Sequence, residues 1–286
     1  MGWKFYPGDS VGIVACSNGL PREDETEIEQ LKACLIQMGL IPIFSSYIYR
    51  KERVCAASAK ERAKALMRMM EDDRIKAVFD ISGGDLANGL LEYLDYEKIK
   101  ACKKPFFGYS DLTVLLNGIY QKTGMSTYWY QVKNLVKKDG ERQKEKFYET
   151  FFQGKRSLYD IHWKFIQGKA IEGIVVGGNL RCFLKLAGTP YFPDVNDKIL
   201  FLESLGGEEA VLTALLVQLR QIGVFEKIRG ILLGTFTKIQ KKTVGISIET
   251  LVREIIDNPN IPIAKTEEVG HGENAACLMI GGWIQV

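Results

Sequence analysis

Histidine is almost missing from this chain. Two of them among 286 residues, His162 and His271, leave few ways to build a site that needs an imidazole. There is no H-E-x-x-H pattern and no cluster of aspartate with histidine, so the sequence offers no ligand set for a metal, and none is expected. No C-x-x-C pair occurs either. The six cysteines (Cys16, Cys34, Cys55, Cys102, Cys182 and Cys277) are widely spaced, and several sit in apolar stretches. That pattern reads as reduced, buried thiols in a cytoplasmic protein. No apolar run approaches the ~20 residues needed to cross a bilayer, and no apolar segment before a cleavage site marks a signal peptide. An excess of one charge is lacking too. The net charge of +3 is too small to imply a nucleic-acid partner. Repeats and low-complexity segments are absent. Nothing singles out a pair of carboxylates of the glycosidase kind.

What is present is ordinary globular material, 46% hydrophobic and 26% charged, enough for two domains or one large one. Short apolar runs alternate with helical periodicity. Residues 10–15 read as a buried strand, 21–39 as a helix with Ile28, Leu31, Leu35 and Met38 on one face, and 40–44 as a strand placed at an edge by Pro42. Residues 47–55 read as a polar connection. Ser58 and Glu61 form a capping-box pattern opening a helix to Met70. Residues 75–81 are a third strand, ending in Ser82-Gly83-Gly84-Asp85, and a helix carrying Leu86, Leu90, Leu91 and Leu94 is expected next. This alternation predicts an α/β fold, a doubly wound parallel sheet of flavodoxin-like kind, over residues 1–165. Within it, residues 133–165 mix charges with Phe147, Tyr148, Phe151 and Phe152, and read as an amphipathic linker or as a lid over a site. A second, mixed α/β domain is expected over 166–286. Its strands lie at 173–177, 198–202, 230–234 and 261–264, with a strand-like end from Cys277 onward.

The stretch Phe106-Phe107-Gly108-Tyr109-Ser110-Asp111-Leu112 reads as a buried strand turning sharply into a helix that carries Leu115, Leu116 and Ile119. A serine there stands above the carboxyl ends of a sheet, where ligands of such folds bind, beside free N–H groups of a helix start. Ser110 is therefore a candidate nucleophile, and a serine hydroxyl needs a base. His162 lies in a charged, aromatic linker and reads as a surface residue. His271, between Gly270 and Gly272 after a strand, is the better candidate. An acid should fix the imidazole. Glu203 ends the apolar run Ile199-Leu200-Phe201-Leu202, where it is either held by a partner or caps the following helix. Asp111 is a rival, though its place suggests a cap for its own helix. The order Ser, Glu, His is that of the α/β-hydrolases, but Leu112 stands where their Gly-x-Ser-x-Gly elbow has its second glycine.

Taken together, Gly108-Tyr109-Ser110-Asp111-Leu112-Thr113, Gly177-Gly178-Asn179-Leu180, Phe201-Leu202-Glu203 and Gly270-His271-Gly272 resemble the LD-carboxypeptidase family of serine peptidases, over nearly the whole chain. That family contains muramoyltetrapeptide carboxypeptidases and microcin C immunity peptidases. The resemblance implies a catalytic triad of Ser110, Glu203 and His271, with the site between the two domains. It implies an oxyanion hole from the backbone of Gly84 and Asp111, no cofactor, and a cytoplasmic homodimer. The substrate it implies is a small peptide, such as a murein tetrapeptide cleaved at its L,D bond, or a peptide-nucleotide conjugate. Gly83, Asp85, Trp129 and Lys265 are candidate substrate contacts, and Lys185, Arg181 and Lys265 are candidate partners for the substrate's anionic group. Three positions depart from the family pattern. Gln131-Val132 replaces a Gly-Pro pair, an Asp-Arg pair beyond the glutamate is missing, and Met279 replaces a proline. These departures motivate an alternative, a non-catalytic binding protein that retains the fold.

Overall fold

The computed structural model describes residues 3–51, 54–241 and 245–286. Part of the polar connection at 47–55 thus lies outside the described residues. The first sheet contains β1 (Ser10–Val14), β2 (Ile41–Phe44), β3 (Ile75–Asp80), β4 (Phe106–Gly108) and β5 (Thr127–Trp129), all parallel, in the order 2-1-3-4-5. That is the flavodoxin-like strand order. Pro42, which cannot donate to a ladder, is indeed on the edge strand. The second sheet contains β6 (Lys164–Gln167), β7 (Glu172–Asn179), β8 (Lys198–Ser204), β9 (Gly230–Phe236) and β10 (Ile263–Lys265). Strands β7 to β10 are parallel and β6 is antiparallel. The strand-like end of the chain divides at Gly281-Gly282. Its first part, β11 (Leu278–Ile280), returns to the first sheet beside β5, and its second, β12 (Trp283–Gln285), joins the second sheet beside β7. The two halves are therefore not simply consecutive in the chain.

Helices α1 (Glu25–Gln37), α2 (Ala59–Glu71), α3 (Tyr96–Cys102), α4 (Thr113–Thr123) and α5 (Gly140–Phe151) accompany the first sheet. Ser58 and Glu61 make the reciprocal capping box expected for α2. The apolar stretch after Asp85 is a 3-10 helix over Ala87–Tyr93 rather than an α-helix, since Asn88-Gly89 weakens regular helix there. The second sheet carries α6 (Leu180–Leu184), α7 (Glu209–Gln221), α8 (Thr237–Gln240) and α9 (Ile248–Ile256).

Of the aromatic residues at 147–152, Phe147 and Phe151 belong to the core, while Tyr148 is exposed and Phe152 is partly buried. Phe147 and Phe151 of α5 are fully buried with Phe5, Phe79 and Phe107 against the first sheet. These two rings pack α5 onto the first sheet. Phe151→Ala should lower unfolding stability by about 3–5 kcal/mol, the range for emptying a buried aromatic site. Chemical denaturation would measure it, and a loss near zero would contradict this packing.

Helix α4 joins the halves. Every residue from Thr113 to Ile119 is buried, so it is apolar all round rather than on one face. Its one buried amide, Asn117, donates from Nδ2 to the Gly177 carbonyl (2.8 Å) and accepts from the Gly177 N–H (2.9 Å). Gly178 has φ +141°, and a Cβ there would lie 2.6 Å from Thr113 Oγ1. Close approach of β7 to α4 thus requires glycine at position 178.

Candidate active site

Ser110 stands one residue, Tyr109, beyond the end of β4, with φ +55°, a left-handed conformation uncommon for a residue with a side chain. The turn is tight because Gly108 admits Leu112, whose Cβ would otherwise be 2.7 Å from an added Cβ. Ser110 is half-buried, and a Cβ on Gly83 would start 4.0 Å from its Oγ. The Gly83-Gly84 loop after β3 therefore lies alongside the hydroxyl.

The second sheet carries the candidate acid, Glu203, and the chain after β10 carries the candidate base, His271. His271 Nδ1 is 2.6 Å from Glu203 Oε2, and both side chains are buried, at 5% and 0% exposure. A carboxylate only accepts, so Nδ1 carries the proton and Nε2 of a neutral ring keeps its lone pair. His271 Nε2 is buried and has no hydrogen-bond partner among the described residues. Tyr109, the neighbour of Ser110, places its ring 5.0 Å from the imidazole. No hydrogen bond joins Nε2 to Ser110 in this structure, a looseness common in sites without substrate.

Local sequence explains how Glu203 is aimed. The register between β8 and β9 shifts between Leu202 and Ser204, so Glu203 sits in an irregularity that re-aims its side chain. Across from it, a Cβ on Gly234 would be 3.2 Å from Glu203 Cβ and 2.4 Å from the Val269 carbonyl. Only glycine lets the His271 loop come this near. Gly270, at φ +149°, likewise has Thr235 Oγ1 where a Cβ would be, and that hydroxyl accepts the His271 N–H at 3.2 Å. Glu203 Oε1 accepts from Asn179 Nδ2 at 2.8 Å, while Asn179 Oδ1 caps α6 at Cys182 N. The sequence marks Asn179 only as part of the Gly177-Gly178-Asn179-Leu180 stretch, where an asparagine suits the opening of a short helix. Its other half, the donor that holds Glu203, was missed because a helix cap already accounts for an asparagine there.

Other expectations come out differently. Asp111 does not cap its helix. Its fully buried carboxylate accepts from Ser17 Oγ (2.6 Å), Ala87 N (2.9 Å) and Lys185 Nζ (2.5 Å). Lys185 also donates to the Asp85 carbonyl at 2.9 Å, and Arg181 pairs with Asp85 and donates to the Gly84 carbonyl at 3.2 Å. Both cations are engaged within the protein, so neither is a free receptor for a substrate anion. Lys265 is buried between Glu267 and Glu249, and burial lowers its pKa. Its ammonium is thereby turned to its own strand end, not offered to the site. Trp129 is wholly buried, ringed by Tyr109, Phe201 and His271, where it backs the imidazole instead of lining an open surface. Burial also raises the pKa of Tyr109 beside it. Asp85 remains at the exposed rim. His162 is a surface residue near Glu268 (3.4 Å).

A serine just past a strand of one sheet and a buried histidine–carboxylate pair carried by a second sheet are an arrangement found in α/β hydrolytic enzymes. Residues 11–130 match the LD-carboxypeptidase N-terminal domain and residues 172–286 the LD-carboxypeptidase C-terminal domain, and the chain belongs to that family of peptidases. A Treponema pallidum protein classed as a carboxypeptidase is 30% identical, with 97% of this chain and 89% of that protein covered. A Bacillus subtilis protein described as a murein peptide carboxypeptidase is 28% identical, over 96% of this chain and 87% of its own. The fold also matches the solved structure of the microcin C7 self-immunity protein MccF in complex with aspartyl sulfamoyl adenosine. There the TM-score is 0.90 at 22% identity, covering 99% of this chain and 94% of that one.

Proposed function

We propose that this protein is a serine carboxypeptidase that releases a C-terminal group from a small peptide or peptide-nucleotide conjugate through Ser110, His271 and Glu203. The observation that carries the reading is the buried His271 Nδ1–Glu203 bond, which leaves Nε2 as an unpartnered acceptor next to the Ser110 turn. In the first step Nε2 takes the Ser110 proton as Oγ attacks the amide carbonyl. The oxyanion that forms is met by the N–H groups of Gly84 and Asp111. As the C–N bond breaks, His271 passes the proton to the leaving amine, and an ester on Ser110 remains. Water then gives a proton to Nε2 and attacks the ester, and Ser110 recovers its proton when the acid leaves. Glu203, tied to Asn179, holds the imidazole in the tautomer this cycle requires and stabilises its charged form.

Two substrate classes fit the relatives, a murein tetrapeptide with an L,D bond and an aminoacyl-nucleotide conjugate. The murein reading is favoured by the Bacillus subtilis relative, which is similar over most of both chains. The reading includes a cytoplasmic location, supported by six unpaired cysteines, and a homodimer, which light scattering would check. The test is mass spectrometry of products after separate incubation with a murein tetrapeptide and with aspartyl sulfamoyl adenosine. We expect loss of the terminal residue from the tetrapeptide. Folded protein that processes neither compound, and whose Ser110 takes no fluorophosphonate, would leave the non-catalytic binding protein as the correct description.

A further inference from the structure

Resting on the hydrolase reading, we infer that Lys185 is a positioning residue that holds the oxyanion-binding backbone in place from the opposite half of the molecule. The two segments concerned end different strands, Gly83 to Asp85 after β3 and Ser110-Asp111 after β4. The first lies outside any helix or strand, and the second is only the opening of a three-residue 3-10 helix, Ser110–Leu112. Ser110 and Gly84 both have positive φ, at +55° and +132°. One ammonium ties them together. Lys185 Nζ donates to Asp111 Oδ1 at 2.5 Å and to the Asp85 carbonyl at 2.9 Å. Arg181, from the short helix that Lys185 closes, grips the Gly84 carbonyl and the Asp85 carboxylate.

The energetic reason is the burial of Asp111. A carboxylate with 0% exposure loses several kcal/mol of hydration and requires a compensating cation. Lys185, with 19% side-chain exposure, is the ion-pair partner found, and its position sets that of Asp111. The Asp111 amide is on the same Cα as the side chain being held, so a shift of the carboxylate moves the donor. Helix α6 carries Arg181 and is closed by Lys185 at its C-cap, and its N-cap is Asn179, the residue that holds Glu203. A single short element of the second half thus sets both the acid that orients His271 and the donors beside Ser110.

The probe is the rate of Ser110 phosphonylation by a small fluorophosphonate, measured well below the thermal midpoint of every variant. It reads the oxyanion geometry without requiring the natural substrate. Lys185→Met should slow labelling about 10²-fold, comparable to losing one oxyanion donor. Lys185→Arg should retain most of the rate. Lys185→Met combined with Asp111→Asn removes the uncompensated charge, so its midpoint should recover while labelling stays at least about tenfold slow, because the tether to Asp85 is still missing. Should Lys185→Met label at the wild-type rate, or the double variant regain rate and midpoint together, Lys185 is only a charge neutraliser and the inference falls while the hydrolase reading stands. Absence of labelling in the wild-type protein overturns both.

Discussion

Ser110→Ala removes turnover by a factor on the order of 10⁶ and leaves the protein folded. His271→Ala does the same, and the double variant is no worse than either, because nucleophile and base act as one unit. The expectation follows from geometry. Ser110 is half-buried at a turn and makes no contact that the fold depends on, while the His271 side chain has one hydrogen bond and one unused nitrogen. Single-turnover kinetics with the processed substrate, alongside a thermal melt, would measure both. A variant that lost its fold along with its activity would show that the site residues are structural supports. Retained turnover in both variants would remove this mechanism altogether.

Glu203→Gln is expected to cost about 10⁴-fold, less than loss of the nucleophile or the base. The amide preserves the shape of the side chain and can still accept from His271 Nδ1. It cannot stabilise the imidazolium, and its NH2 group competes for the wrong tautomer. There is also a cost on the other side. Asn179 Nδ2 now donates to Glu203 Oε1, and a glutamine that turned its NH2 that way would set two donors against each other. The loss should therefore appear mainly in the rate constant at saturating substrate, with the Michaelis constant little changed, because Glu203 is buried behind the imidazole and touches no substrate. A loss confined to the Michaelis constant would place Glu203 in substrate binding instead.

Much of the first half was legible because its strands are short, mainly apolar runs that stop at turn residues, as at Ser45, Ser82-Gly83-Gly84 and Gly108. The 2-1-3-4-5 order is a tertiary fact, but the α/β alternation that produces it is written in the sequence. Helix α3 went unread because it has only seven residues and one buried side chain, Ile99, so it presents almost no periodicity. His271 stood out through scarcity, and Glu203 through being an acid at the end of an apolar strand. The pairing of Lys185 with Asp111 was not legible. The partners are 74 positions apart, and each by itself resembles an ordinary charged residue at a helix end. The division of the last strand-like stretch was equally hidden, because residues 278–280 and 283–285 look alike locally and only the assembled sheets distinguish them.

That division has a consequence for synthesis. The first sheet gains its last strand, and Trp129 its hydrogen-bonded neighbour Leu278, only after the chain has emerged as far as Ile280. The imidazole that would activate Ser110 is itself 161 positions later in the order of translation (271 minus 110). A ribosome-bound chain ending anywhere before the second half therefore displays the serine turn with no base, no orienting acid and an open sheet edge. On the proposed triad, reactivity toward peptide bonds would begin only once the second half has folded against the first.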